Sequence, residues 1–226
     1  MQGFRLSHAG LVLELEGATL FIDPGNFSTH AELSQALEAA APPAGIVITH
    51  EHADHWTPEH VRATLALSPE AKIYTTAATA AALETAGIES TVVVTEGDRH
   101  SVGPFSLEFY GRRHEVLHSS IPVIENIGVR INETLAWGGD SITRPPFRAD
   151  VLGVPIGSPW SNIAQVMDFV LAAAPRRAFL THDGMLSARG VELYTERVLT
   201  CLAQCGGELL TFPTLEERQG AQLSLG

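Results

Sequence analysis

The sequence predicts an α/β (α+β) fold of two similar halves, each a β-sheet with helices on its outer face, the two sheets packed face to face. Three observations predict it. Apolar runs of strand length and amphipathic helical stretches follow one another in the order β-rich, α/β, β-rich, α/β along the 226 residues. Several of the runs stop abruptly at Gly, Pro, Asp or His, so polar side chains gather where strands end. The 20 Gly and 13 Pro are spread through the chain instead of being gathered into a linker, which predicts one domain over residues 1–226.

Phe4-Arg5-Leu6, Leu11-Val12-Leu13-Glu14-Leu15 and Thr19-Leu20-Phe21-Ile22 read as an antiparallel meander, with Ala9-Gly10 and Glu16-Gly17 as its turns. Asp23-Pro24-Gly25 stops the third strand and leaves an aspartate at its end. Leu33 and Leu37 have helical spacing within 31–41, and Pro42-Pro43 ends that helix. A buried strand, Ile46-Val47-Ile48, then runs into Thr49-His50-Glu51-His52-Ala53-Asp54-His55-Trp56. Thr57-Pro58 supplies a capping hydroxyl and a first-turn proline for a helix carrying Val61 and Leu65.

From Lys72 a strand, an alanine-rich helix over 77–86 and strands around Val92-Val93-Val94 and over 105–110 follow, the last ending in a polar loop with His114 and His118. Residues 124–131 and 134–137 read as a hairpin running into Gly138-Gly139-Asp140-Ser141. The final third alternates: a strand over 151–156, a helix with Ile163, Val166, Met167, Val170 and Leu171 on one face, and a strand Ala178-Phe179-Leu180-Thr181 ending in His182-Asp183-Gly184. A helix with Val191, Tyr194, Val198, Cys201, Leu202 and Cys205 on its apolar stripe and a strand near Leu209-Leu210 close the pattern.

Composition narrows the function. The chain is 45% apolar and 18% charged, with no run approaching the roughly 20 apolar residues that span a bilayer and no apolar leader, so a cytoplasmic protein without a membrane partner is expected. A formal charge of −12 and a single lysine, Lys72, argue against a nucleic-acid partner. The only two cysteines, Cys201 and Cys205, fall on one helical stripe and read as buried thiols, which removes a thiolate-rich zinc site.

Five strand ends carry candidate ligands: Asp23, the 50–55 cluster, His114, Asp140 and His182. Strand ends share sheet edges, so groups distant in sequence can converge on one cleft. His50 and His52, two apart, share a face of an extended backbone, whereas Asp54-His55 requires the chain to turn, so one loop can serve two metals. Seven nitrogen and oxygen ligands, His50, His52, Asp54, His55, His114, Asp140 and His182, are too many for one tetrahedral ion and suit two. Imidazole with a few carboxylates suits Zn2+, with Mn2+ or Fe as alternatives. Either His114 or His118 completes the set; the other sense for His118 is a proton donor or substrate contact.

The ordered motifs Leu6-Ser7-His8-Ala9-Gly10, Phe21-Ile22-Asp23-Pro24, Thr49-His50-Glu51-His52-Ala53-Asp54-His55, His114, Gly138-Gly139-Asp140-Ser141 and Thr181-His182-Asp183 resemble those of the metallo-β-lactamase fold superfamily, within its group of small hydrolases that includes the ascorbate-6-phosphate lactonase-like proteins. The resemblance implies a four-layer αββα sandwich with a dinuclear metal site at one edge of the sheets. It implies one metal on His50, His52 and His114, the other on Asp54, His55 and His182, Asp140 bridging, and Asp23 orienting the site without binding metal. It also places His8 near the metals, where a structural histidine is the other reading. Asp183 reads as a support for an imidazole or as the cap of the next helix. His30, His60 and His100 belong to no motif and are expected at the surface.

The reaction expected is hydrolysis of an ester, lactone, thioester or phosphoester bond of a small molecule by a metal-bridging hydroxide, with Asp54 holding the nucleophile and relaying its proton. Arg112, Arg113, Arg144 and Arg148 stand available for an anionic substrate. The alternatives are oxygen chemistry on a single iron and a binding or sensing module whose metal is structural.

Overall fold

The computed structural model describes residues 1–215 and 223–224. One sheet contains β1 (Gln2–Arg5), β2 (Leu11–Leu15), β3 (Ala18–Ile22), β4 (Pro43–Ile48), β5 (Lys72–Thr75), β6 (Thr91–Val93) and β14 (Leu223–Ser224), in the order β14-β1-β2-β3-β4-β5-β6. The other contains β7 (Arg99–Val102), β8 (Phe105–Tyr110), β9 (Gly128–Ile131), β10 (Leu135–Trp137), β11 (Val151–Pro155), β12 (Arg177–Thr181) and β13 (Glu208–Leu209), in the order β13-β12-β11-β10-β9-β8-β7. Each sheet begins antiparallel, through β1-β2-β3 or β7-β8-β9-β10, and continues parallel, through β3-β4-β5-β6 or β10-β11-β12-β13. The two halves therefore repeat one plan, as the element order predicts.

Strand periodicity builds the layers. Leu11, Leu13, Leu20, Ile22 and Val47 face Phe105, Phe109, Val129, Trp137 and Phe179 between the sheets. Their alternating neighbours Val12, Phe21, Ile46 and Ile48 point the other way, onto Leu33 and Ala36 of α1 (His30–Ala39), Val61 of α2 (Pro58–Leu67) and Leu83 of α3 (Ala77–Thr85). On the far face Ala136, Leu152, Val154 and Ala178 meet Val166, Phe169 and Val170 of α4 (Ile163–Ala173) and Val198, Cys201 and Leu202 of α5 (Ala188–Cys205). Three apolar seams between four layers make the αββα sandwich. Side-chain oxygens of Thr29, Thr57, Thr76, Asn162 and Ser187 accept backbone N–H groups at the five helix starts. Cys201 is buried and Cys205 half-buried, and both are free thiols, as the helical stripe predicts.

Some expectations change. The hairpin strand begins at Gly128, because 111–127 is a long loop in which Glu125 makes only an isolated bridge to Arg113. Two strands, β7 and β14, go beyond those the sequence pattern predicts. His60 is buried, not exposed: its Nδ1 lies 3.1 Å from the Pro24 carbonyl oxygen.

Candidate metal centre

The parallel strands point their C-terminal ends to one edge, and the antiparallel β8 and β10 end there too. Asp23 follows β3, the 50–55 loop follows β4, His114 lies beyond β8, Asp140 beyond β10 and His182 directly after β12. The turns out of these strands are tight. His8, Asp23 and His182 hold φ of 62°, 47° and 57°, the left-handed region that costs a side chain of this kind about 1–3 kcal/mol and persists only where the surroundings enforce it.

Asp140 is the centre of the arrangement. Its Oδ2 lies 3.2 Å from His114 Nε2 and 3.8 Å from His50 Nε2, and His50 Nε2 lies 3.1 Å from His52 Nδ1. Its Oδ1 lies 3.0 Å from His55 Nε2 and 3.1 Å from His182 Nε2, while Asp54 Oδ2 stands 3.8 Å and 3.5 Å from the same two nitrogens. One carboxylate thus faces two groups, His50/His52/His114 on one oxygen and Asp54/His55/His182 on the other. Within each group, Asp140 included, the potential ligand atoms lie within 4.8 Å of one another. His114, not His118, belongs to the first. His118 is exposed four residues on, where its Nδ1 accepts the Ser120 N–H at 3.1 Å and lies 2.7 Å from Ser120 Oγ.

The chemistry of these atoms fits metal ions. His55 Nε2, His182 Nε2 and Asp140 Oδ1 are buried and converge to about 3 Å, yet none makes a hydrogen bond of acceptable geometry. The opposite ring nitrogens are held: His114 Nδ1 by the Glu115 carbonyl at 2.7 Å, His182 Nδ1 by Ser158 Oγ at 3.1 Å, His50 Nδ1 by Thr49 Oγ1 at 3.0 Å and His55 Nδ1 by Asp23 Oδ2 at 3.0 Å. Anchoring one ring nitrogen so that the other is aimed inward is how proteins orient metal-binding imidazoles.

The supports reach back into the sandwich. Asp23 is fully buried and accepts from Thr49 N at 2.8 Å, Thr49 Oγ1 at 2.9 Å and Trp137 Nε1 at 2.9 Å, besides its contact with His55. Trp160 Nε1 donates to Asp140 Oδ2 at 2.8 Å, and Asn126 Oδ1 accepts the Asp140 N–H at 3.0 Å. His8 Nδ1 accepts the Gly184 N–H at 3.1 Å, so its ring proton sits on Nε2, 3.4 Å from Asp54 Oδ2. Asp183 takes neither expected role: its Oδ1 accepts from Arg5 Nη2 at 2.7 Å, and Ser187 caps α5. Arg112 is engaged by Glu96, and Arg148 donates to the Ala174 carbonyl.

Charge divides the cluster. Burial pushes the His50 and His52 imidazoles below their ordinary value, and neighbouring histidines add to the effect. At His55 burial pushes the same way, but the Asp140 and Asp23 carboxylates outweigh it and hold the ring well above its ordinary value. Burial also opposes the charge on His182, yet the close Asp140 and Asp54 carboxylates push it up to about 9. Desolvation disfavours ionised Asp140 and Asp54, but the surrounding imidazoles hold both carboxyls well below the usual range.

The family model described as a beta-lactamase superfamily domain matches residues 5–182, from the strand before His8 to the histidine after β12. The chain belongs to the metallo-β-lactamase fold superfamily. It is 33% identical over 198 residues to Protein Rv0786c of Mycobacterium tuberculosis H37Rv, covering 84% of this chain and 89% of that one. In fold it is similar to Igni18, a metallo hydrolase from the archaeon Ignicoccus hospitalis, with a TM-score of 0.71 at 16% identity over 98% of this chain and 97% of the other. It is also similar to CmlA, a diiron β-hydroxylase from Streptomyces venezuelae, with a TM-score of 0.68 at 15% identity, over 93% of this chain and 53% of that longer one.

In this metallo-β-lactamase fold chain, two glycines let the site close. A Cβ on Gly25 would sit 1.8 Å from the Asp54 carbonyl oxygen, and one on Gly139, whose φ is +59°, would sit 2.5 Å from Asn126 Oδ1 and 2.6 Å from Thr49 Oγ1. At Gly25 the obstacle is backbone, which cannot rotate away. Gly25→Ala is therefore expected to cost about 3 kcal/mol or more, lowering Tm by about 6–12 °C in a chain of this size. A thermal melt within 2 °C or so of the parent would contradict this close packing.

Proposed function

We propose that the chain is a single-domain, cytoplasmic metal-dependent hydrolase acting on an ester, lactone, thioester or phosphoester bond of a small molecule. The observation that carries the reading is the Asp140 carboxylate shared between two groups of inward-aimed donors, all buried except His52 and Asp54. The proposed ligands are His50, His52, His114 and Asp140 for one ion and Asp54, His55, His182 and Asp140 for the other, with Zn2+ first and Mn2+ or Fe as alternatives. Bound there, two such ions supply Lewis acidity to a substrate oxygen and an ionised water near neutral pH. Two free thiols support the cytoplasmic assignment.

The chain's own residues then have distinct tasks. Trp160 Nε1–H and the Asn126 side chain fix the plane and position of Asp140. Asp54 is about a quarter exposed, unlike the nearly buried Asp140, so it is the carboxylate placed to accept a proton at Oδ2 from the open side. His8 Nε2–H, held in its tautomer by Gly184, orients that oxygen. His118 has its Nδ1 occupied by the Ser120 N–H, so its neutral ring presents Nε2–H as a donor to a leaving group.

Metal quantification with a panel of lactones, thioesters, phosphodiesters and simple esters tests the reading. About two ions per chain and turnover in one bond class are expected. Stray metal only, with Asp54→Ala and His55→Ala changing neither content nor activity, would sink it. His118→Gln is expected to reduce kcat about a hundredfold for substrates with poor leaving groups and much less for activated aryl esters. Equal loss, or none, on both removes the donor role.

The second reading, oxygen chemistry on iron, draws on the likeness in fold to a diiron β-hydroxylase and on a donor set compatible with iron. Oxygen uptake by iron-loaded protein, absent with zinc, would favour it. A binding or sensing module predicts metal at full content and no turnover of any kind.

A further inference from the structure

Ten large apolar side chains stay exposed among the described residues, and half of them adjoin the candidate ligands: Phe27, Val116, Leu117, Ile121 and Met185, each 40–57% exposed. Their placement is not scattered. Val116, Leu117 and Ile121 ride on the loop that follows His114, beside the His50/His52/His114 group. Phe27 and Met185 stand beside the Asp54/His55/His182 group, where the Phe27 ring stacks on His8 at 4.0 Å and 17° and Met185 follows Gly184, the residue that holds His8. An apolar side chain in each lip of a polar cluster is the composition of a small-molecule site: a few placed polar groups surrounded by apolar walls.

The lip beside His114 is built, not loose. His114 N–H donates to the Ile124 carbonyl at 3.1 Å and closes the loop at its root; Glu115 N–H donates to the Asp140 carbonyl at 3.0 Å; and Glu115 Oε1 accepts the Ile142 N–H at 3.0 Å. The backbone that carries Val116 and Leu117 is thereby tied to the segment that carries Asp140. The Phe27 lip is tied likewise, since Asn26 N–H donates to the Ala53 carbonyl at 2.9 Å and Ser28 N–H to the Gly25 carbonyl at 3.2 Å. Of the arginines near the cluster, Arg5 is committed to Asp183, Arg112 to Glu96 and Arg148 to the Ala174 carbonyl, whereas Arg113 and Arg144 are exposed.

We infer that the substrate carries an apolar alkyl or aryl arm beside the bond that is cleaved, seated against Val116, Leu117 and Ile121, with Phe27 and Met185 lining the other end. The inference rests on the hydrolase reading and narrows it to substrates that carry an apolar arm beside the bond that is cleaved.

Straight-chain hydroxamates from acetyl to decanoyl, titrated calorimetrically into zinc-loaded protein, test the lip by binding alone. Affinity is expected to rise about two- to fourfold per added methylene. In the Val116→Ser/Leu117→Ser/Ile121→Ser variant that slope falls by at least half while metal content is unchanged; Leu193→Ser/Leu199→Ser, on the exposed face of α5, keeps it. Should the triple variant lose metal, Leu117→Ser alone must reduce the slope. No gain with length in the parent, including no binding at any length, or an undiminished slope in the lip variants, overturns the inference. Length-dependent binding without turnover of any ester instead sinks the hydrolase reading alone, and turnover of short and long esters with equal kcat/KM sinks the apolar lip alone.

Discussion

Asp140→Asn is expected to strip both ions at once and to reduce turnover by at least about a thousandfold, the equivalent of roughly 4 kcal/mol of lost stabilisation. No other residue lies in both donor groups. The isostere keeps the size of the side chain but removes the negative charge and replaces one oxygen, facing either His55 and His182 or His50 and His114, by a nitrogen that cannot ligate. The Asn126 contact, made to the backbone N–H, is unaffected, and the Trp160 N–H keeps its acceptor when the amide oxygen takes the Oδ2 place, so the protein should still fold. His52→Ala is the contrasting case, because His52 belongs to one group only and is exposed. One ion per chain should remain. Metal analysis of the two variants decides between a shared carboxylate and two independent sites: equal stoichiometry in both would defeat the sharing.

What made the site legible was the coincidence of donors with strand ends. The 50–55 loop announces itself because four donors fall in six residues after a buried strand, and Asp23, Asp140 and His182 because each ends an apolar run. Their supports carry no such mark. Trp160 reaches Asp140 across 20 residues, Trp137 reaches Asp23 across 114, and Thr49 gathers Asp23, His50 and His55 from two strand ends. Those contacts exist only once two sheets have been folded against each other, so nothing local in the sequence encodes them. The choice between His114 and His118 is of the same kind. Four-residue spacing in a loop sets no common face, and closure of the loop at Ile124 is what sends the first inward and leaves the second in solvent.

The fold was legible where a strand or helix has one apolar face. β7 escaped because Arg99-His100-Ser101-Val102 buries only Val102, as befits an edge strand, although Gly103, at φ +55°, turns it into β8. The apolar Ile124 and Ile127 give residues 124–127 the pattern of a strand, but Asn126 between them is committed to Asp140 and Gly138. A polar support at the site overrode the local pattern. An isolated histidine such as His60 is ordinarily exposed, whereas the Pro24 carbonyl gives its ring a buried partner.

Metal loading should depend on pH differently at the two donor groups. In the metal-free protein His182 titrates near 9 and His55 well above its ordinary value of 6.5, so both carry a proton at pH 7 that a metal must displace. Asp54 and Asp140, held low, are already ionised. His50 and His52, pushed down by burial, are already neutral. Filling the Asp54/His55/Asp140/His182 group at pH 7 should therefore release about two protons, and its apparent affinity should climb up to about a hundredfold per pH unit until pH approaches 9. His50 and His52 should contribute almost no proton release, so the first ion should bind with a much flatter pH profile. The same raised values work in the opposite direction on the metal-free fold. A histidine whose folded pKa exceeds its unfolded one stabilises fully below about 6.5, and its contribution fades as pH rises through the folded value, so the metal-free protein should lose stability between pH 6.5 and 9. Raising the pH thus widens the gap in Tm between metal-loaded and metal-free protein from both sides. Calorimetry in two buffers of different ionisation enthalpy counts the protons, and paired melts at pH 6.5 and 9 measure the gap. Proton-neutral binding at pH 7, or a gap that narrows with pH, would mean that Asp140 and its neighbours do not hold His55 and His182 charged before the metal arrives.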